Sequence, residues 1–215
     1  MKPLATVCLM LIAVSAGAAT NVEERISVTG ESRLALEFPF ADDIKFTAWD
    51  RNEVLVQAAV TINEGRNDHI FKLESRKSSD TIYIDMVKNG WVAVEWGCRR
   101  DCRESEIHYR VYHPATMHID AETISGDYDL DYYGRPGEFK TISGDIDLSI
   151  PGDQGVDFSV STISGEVYSD LDIEYPQGKA GLNQVVGAHV LGRVRGGGPA
   201  VNLETISGNI YLRKK

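Results

Sequence analysis

The tetrapeptide Thr-Ile-Ser-Gly occurs four times, at 123–126, 141–144, 162–165 and 205–208. Its glycines are separated by 18, 21 and 43 residues. The last gap is two periods, and Gln184-Val185-Val186-Gly187 stands where a degenerate fifth copy is needed, dividing 43 into 22 and 21. A gap that anticipates its own missing member marks a structural repeat. A unit this short cannot hold a βαβ crossover, which takes roughly 30 residues, nor a propeller blade.

Residues on both sides of the motif alternate with period two. Ala121, Phe139, Val160, Leu182 and Leu203 stand five before each glycine, and Tyr128, Ile146, Val167, His189 and Ile210 stand two after. Such alternation predicts short half-buried strands. The inward positions are odd before the glycine and even after it, so a corner within the motif must reset the phase, and Gly tolerates the backbone angles this needs. In this register His189 faces inward as a hydrogen-bonded core residue.

These features predict an all-β chain, specifically a single-stranded parallel β-helix or solenoid with coils of about 18–22 residues. Successive coils stack at about 4.8 Å, so Thr123, Thr141, Thr162 and Thr205 form one ladder and the following isoleucines another. An antiparallel sandwich is the alternative, although sandwich turns normally differ from one another. Residues 20–105 read as an irregular β-rich part of the same domain, and 106–215 as the regular solenoid. Ile44-Phe46-Ala48 and Val54-Val56-Ala58 flank the polar turn 49–53. Further strands are expected at 69–75, 81–87, 91–96 and 106–112, and Gly196-Gly197-Gly198-Pro199 is a loop.

Residues 1–19 have the pattern of a secretory signal peptide, with Lys2, an apolar run from Leu4 to Val14 and small residues at Ala16-Gly17-Ala18. The run is shorter than the roughly 20 residues that span a bilayer, so no transmembrane segment is expected after cleavage. The formal charge of −10 argues against nucleic-acid binding. Cleavage also removes Cys8, leaving Cys98 and Cys102. In an oxidising compartment this close pair is expected to form a disulfide, with a metal pair or a redox dithiol as the less fitting readings of its spacing.

An export signal, an irregular N-terminal β region with Trp49-Asp50-Arg51-Asn52-Glu53-Val54, and the repeats typified by Thr141-Ile142-Ser143-Gly144-Asp145-Ile146-Asp147-Leu148 together resemble the bacterial putative-adhesin family. The resemblance covers most of the chain after residue 19. It implies a β-helical envelope protein, in a family whose biochemical role is largely undefined. The Cys98–Cys102 loop is not part of that pattern.

Three constellations are candidates for chemistry. Asp127, Asp129, Asp145 and Asp147 follow two successive motif glycines, and stacking would gather them where Ca²⁺ could bridge them; a solvated acidic face is the alternative. His108, His113 and His118 are spaced by five, which sends His113 to the opposite face of a strand. Arg99, Arg100 and Arg103 sit in the cysteine loop beside Trp91 and Trp96, a contact for carboxylate or phosphate groups. No nucleophile elbow, zinc-protease motif, phosphate loop or dinucleotide fingerprint occurs. No cofactor beyond that Ca²⁺ is expected. The sequence thus points to a non-enzymatic exported protein, periplasmic or at the cell surface, that contacts an envelope protein or an anionic polysaccharide. A carbohydrate-active enzyme using the acidic face is the alternative.

Overall fold

The structure, a computed structural model, describes residues 19–87, 104–175 and 187–215. These residues form one large mixed β-sheet that branches and does not close on itself. In chain order the strands are β1 (Thr20–Ser27), β2 (Arg33–Glu37), β3 (Phe40–Trp49), β4 (Glu53–Ile62), β5 (Leu73–Ser78), β6 (Thr81–Met86), β7 (Ser105–Pro114) and β8 (His118–Asp131). They continue as β9 (Gly137–Ser143), β10 (Ile146–Ile150), β11 (Val156–Ser164), β12 (Val167–Ser169), β13 (Ala188–Val194), β14 (Ala200–Ser207) and β15 (Ile210–Lys214). A single turn of 3₁₀ helix covers Asp68–Ile70, where the sequence predicts the start of a strand.

Two rows of strands share β8. The front row runs β5-β6-β2-β8-β9-β14-β11-β13 and the back row β1-β4-β7-β3-β8-β10-β15-β12. The first half of β8 pairs with β2 and β9, its second half with β3 and β10. Each Thr-Ile-Ser-Gly is the corner at which the chain passes from front to back. Between the rows the alternating apolar residues make one continuous core. Phe139 of the front row meets Phe46 of the back row edge-on at 5.3 Å, and Phe38 stacks on Tyr109 at 4.2 Å.

Pairing is parallel through the middle of both rows and antiparallel at both ends of the front row, in β5–β6 and β11–β13, and at one end of the back row, in β1–β4 and β4–β7; the other end of the back row, β15–β12, is parallel. The turn at 49–53 does not make a hairpin, because β7 lies between β3 and β4. Trp49 instead holds the turn by donating its indole N–H to the carbonyl of Glu53 at 2.8 Å.

The four motif copies do stack in register: Thr123 opposite Thr141, Thr141 opposite Thr205, and Thr205 opposite Thr162. Their spatial order is therefore 123, 141, 205, 162, not the sequence order that successive coils require. After β10 the chain skips one level to build β11 and β12, and β14–β15 later fill the vacant level. The strand after Gly187 is the reason. β13 runs antiparallel to β11, with Ala188 opposite Thr162, so it reverses the chain and does not lay down a fifth parallel coil. The register of this pairing sets which residues face the core: Val190 and Val194 lie opposite the buried Val160 and Val156 and are buried, while His189 is exposed and Leu191 is 52% exposed. The inward placement of His189 is thereby corrected.

Candidate interaction face

The motif's residue types follow from the corner it makes. Thr123, Thr141, Thr162 and Thr205 are all buried. Each donates its hydroxyl to a backbone carbonyl of the level beneath: Thr141 to Gly126 at 3.4 Å, Thr205 to Gly144 at 3.1 Å and Thr162 to Gly208 at 2.9 Å. Thr123 donates to Phe38 at 2.6 Å, so the β2–β3 corner is the base of the same stack. The glycines are fixed by close approach. A Cβ on Gly144 would lie 2.1 Å from the carbonyl oxygen of Gly126, on Gly208 2.0 Å from that of Gly144, and on Gly165 1.9 Å from that of Gly208.

With Thr held inward and the phase reset at Ser-Gly, the isoleucine is left outside. Ile124, Ile142, Ile206 and Ile163 are 47%, 47%, 46% and 56% exposed. They stand in that order on adjacent strands of the front row, at the ladder spacing of about 4.8 Å. Isoleucine is among the residues most often buried, so a contiguous exposed run of it is a candidate contact surface. The run borders an open groove of about 440 Å³, lined also by Glu37, Glu122, Lys140 and Glu204.

The candidate carboxylates occupy the outside of the back row, where each has a protein partner. Asp127 accepts the backbone N–H of Asp145 at 2.8 Å, and Asp145 accepts that of Asn209 at 2.7 Å. Asn209 continues the pattern by accepting from Glu166 at 3.1 Å. Asp129 and Asp147 are neighbours in register. Lys45 pairs with Asp129, raising the lysine pKa, and Arg213 pairs with Asp147 at 2.6 Å. Among the described residues no three His, Cys, Asp or Glu side chains converge on a position for a metal ion.

The three evenly spaced histidines diverge. His108 pairs with Asp43 and, at 3.1 Å, with Glu106, and the Asp43 hydrogen bond raises its pKa. His118 pairs with Asp120 at 2.7 Å. His113 is fully buried beside Tyr133, whose ring centroid is 4.7 Å away. Burial lowers its pKa to about 4, and its Nε2 has no hydrogen-bond partner. Cys98, Cys102, Arg99, Arg100, Arg103 and the expected strand at 91–96 lie outside the described residues, as do residues 1–18.

Sequence reasoning placed the isoleucines in a ladder without assigning them a role. The available signal was the charged residue two positions earlier in three copies, Glu122, Lys140 and Glu204, which marks that parity as the outer face.

No family model and no curated protein matches the chain. Among solved structures, a putative cell adhesion protein from Clostridium sporogenes aligns with a TM-score of 0.53 at 11% identity, covering 91% of this chain and 100% of that one. Putative adhesins from Bacteroides fragilis and Parabacteroides distasonis align over 93% of this chain and 99% and 98% of theirs, with TM-scores of 0.28 and 0.24 at 7% and 8% identity. At these identities the likeness is one of fold, and it is the bacterial protein from C. sporogenes whose fold this chain shares.

Proposed function

We propose that this chain is an exported, non-enzymatic envelope protein of adhesin-like type, built as a modified parallel β-helix whose isoleucine ladder is its contact surface. The observation that carries this reading is the ladder itself, four isoleucines about half exposed and aligned in register. Isoleucines that served only the corner could be replaced by polar residues at no cost to the core, because Thr and Gly make the corner's contacts. Export to the periplasm or the cell surface is supported by the signal-like segment 1–19. The fold shared with the C. sporogenes protein is in keeping with this reading. Against the carbohydrate-active alternative, Asp129 and Asp147 are each neutralised by a cation, and Asp127 and Asp145 hold backbone N–H groups.

The test is retention on isolated cell envelopes. Ile142→Asp and Ile206→Asp together should release the protein from the envelope fraction while leaving its melting temperature within a few degrees of the parent. Retention unchanged by the double substitution, or carbohydrate cleavage that is lost on Asp147→Asn, would overturn the reading.

A further inference from the structure

We infer that the isoleucine face is built to receive a second copy of this chain, related to the first by a two-fold axis lying along the strands. The inference rests on the ladder being a contact surface and names its partner, the dimer being the form that the envelope retains, so that substitutions which separate the copies also release the protein. A half-turn about such an axis keeps each column of side chains opposite itself and reverses the order of the strands. Along the front row that order is β2, β8, β9, β14, β11, β13. Reversal sets β9 against β14, β8 against β11 and β2 against β13.

In the isoleucine column, Ile142 then meets the partner's Ile206, and Ile124 meets the partner's Ile163. The next column outward reads Glu37, Glu122, Lys140, Glu204, Ser161, His189. Reversed upon itself, it places Lys140 opposite the partner's Glu204 and Glu122 opposite the partner's Ser161. Glu37 falls opposite the partner's His189. A third column begins with Ala35 and ends with Leu191, which therefore meet as an apolar pair. Between them it sets Asp120 on the partner's Ser159 and Glu138 on the partner's Asn202.

No pair in the three columns sets like charges together. An axis across the strands through the charged column would instead put Glu122, Lys140 and Glu204 each opposite its own copy, an unfavourable arrangement. Self-complementarity of one patch is what a two-fold interface requires. The excess of Glu on this face also disfavours an anionic polysaccharide or membrane surface as its occupant. Stable interfaces bury about 800 Å² from each partner and permanent dimers more, and a face whose apolar centre is four half-exposed isoleucines favours a concentration-dependent one.

Sedimentation velocity over a range of protein concentrations provides the test. The parent protein should pass from monomer to dimer as concentration rises. Lys140→Glu and Glu204→Lys should each weaken the dimer at least tenfold, because each sets two glutamates or two lysines face to face. The combined K140E/E204K protein restores opposite charges and should recover to within about threefold of the parent, which is less than 1 kcal/mol. All four side chains concerned, the exchanged pair with Ile142 and Ile206, lie on the surface, and melting curves check that each variant is folded. A protein that stays monomeric at every concentration overturns the inference, as does a double exchange no tighter than the single changes. If that monomer is still released from envelopes by I142D/I206D, the ladder contacts a different partner and the functional reading stands without the dimer.

Discussion

Thr205 donates its hydroxyl hydrogen to the carbonyl oxygen of Gly144 at 3.1 Å, joining two copies of one motif through residues 61 positions apart. The same donor and acceptor types join Thr162 to Gly208, so the hydroxyls trace the levels of the stack in their spatial order. Thr205→Val removes the donor at nearly constant volume from a site that is only 4% exposed. The expected loss is about 1–2 kcal/mol. Thr205→Ser keeps the donor and should retain the part of stability owed to the hydrogen bond. Urea denaturation of the three proteins checks this, and a Val variant as stable as the parent would remove the hydroxyl from the account.

The motif glycines are required for space. Gly208→Ala sets a methyl group 2.0 Å from the Gly144 carbonyl oxygen, with backbone on both sides of the clash. A loss of about 3 kcal/mol or more is expected. Gly152→Ala is the control: its nearest neighbour is the flexible Cε of Lys214 at 3.5 Å. That change should stay within about 0.5 kcal/mol.

Much of this corner is legible in the sequence. The period predicts parallel strands stacked through Thr, and the alternation around each glycine identifies Ala121, Phe139, Val160 and Leu203 as core, all at most 3% exposed. The order of levels is not legible. A repeat states that its copies have equivalent surroundings, but not which free strand edge each copy joins. Gly187 shows how this misleads, since its distance from Gly165 fits a coil whereas β13 turns back along β11. For His189 and Leu191 the alternation is right and the register is not: pairing opposite Ser161 and Ser159 of β11 puts both on the outer face. The His113 environment is illegible for another reason: Tyr133 comes to it from the connection between β8 and β9, and Phe46 from β3.

His113 makes stability depend on pH in a defined direction. Burial depresses its pKa from 6.5 to about 4. Above pH 6.5 the imidazole is neutral in both folded and unfolded chains and has no effect. As pH falls from 6.5 towards 4, the unfolded chain takes up the proton and the folded one does not, so stability declines. The full effect is about 3 kcal/mol. His108 works the other way, because its pKa is raised by Asp43. It contributes stability at pH below 6.5 that is lost as pH rises through its folded value. His113→Phe should therefore flatten the acid decline between pH 6.5 and 4, and His108→Asn should remove the part of the parent's decline that sets in as pH rises above 6.5. Equal slopes in parent and both variants would show that neither histidine is linked to folding.

Tyr109 carries a hydroxyl with no hydrogen-bond partner in the core, while its ring lies within 4° of parallel to Phe38. Tyr109→Phe keeps the stack and removes the orphaned group. Stability should stay level or rise by up to about 1–2 kcal/mol. A clear loss would mean that the hydroxyl is satisfied in solution.

The central claim is that the isoleucine ladder is the surface through which this protein makes contact. Site-specific photo-crosslinking in intact cells tests it most directly. A photoreactive residue at position 142 or 206 is compared with one at Tyr168, which is 46% exposed on the outside of the back row. The account predicts one discrete adduct from 142 and 206 and none from 168. Absence of an adduct from the ladder positions, or the same adduct from all three, would contradict it.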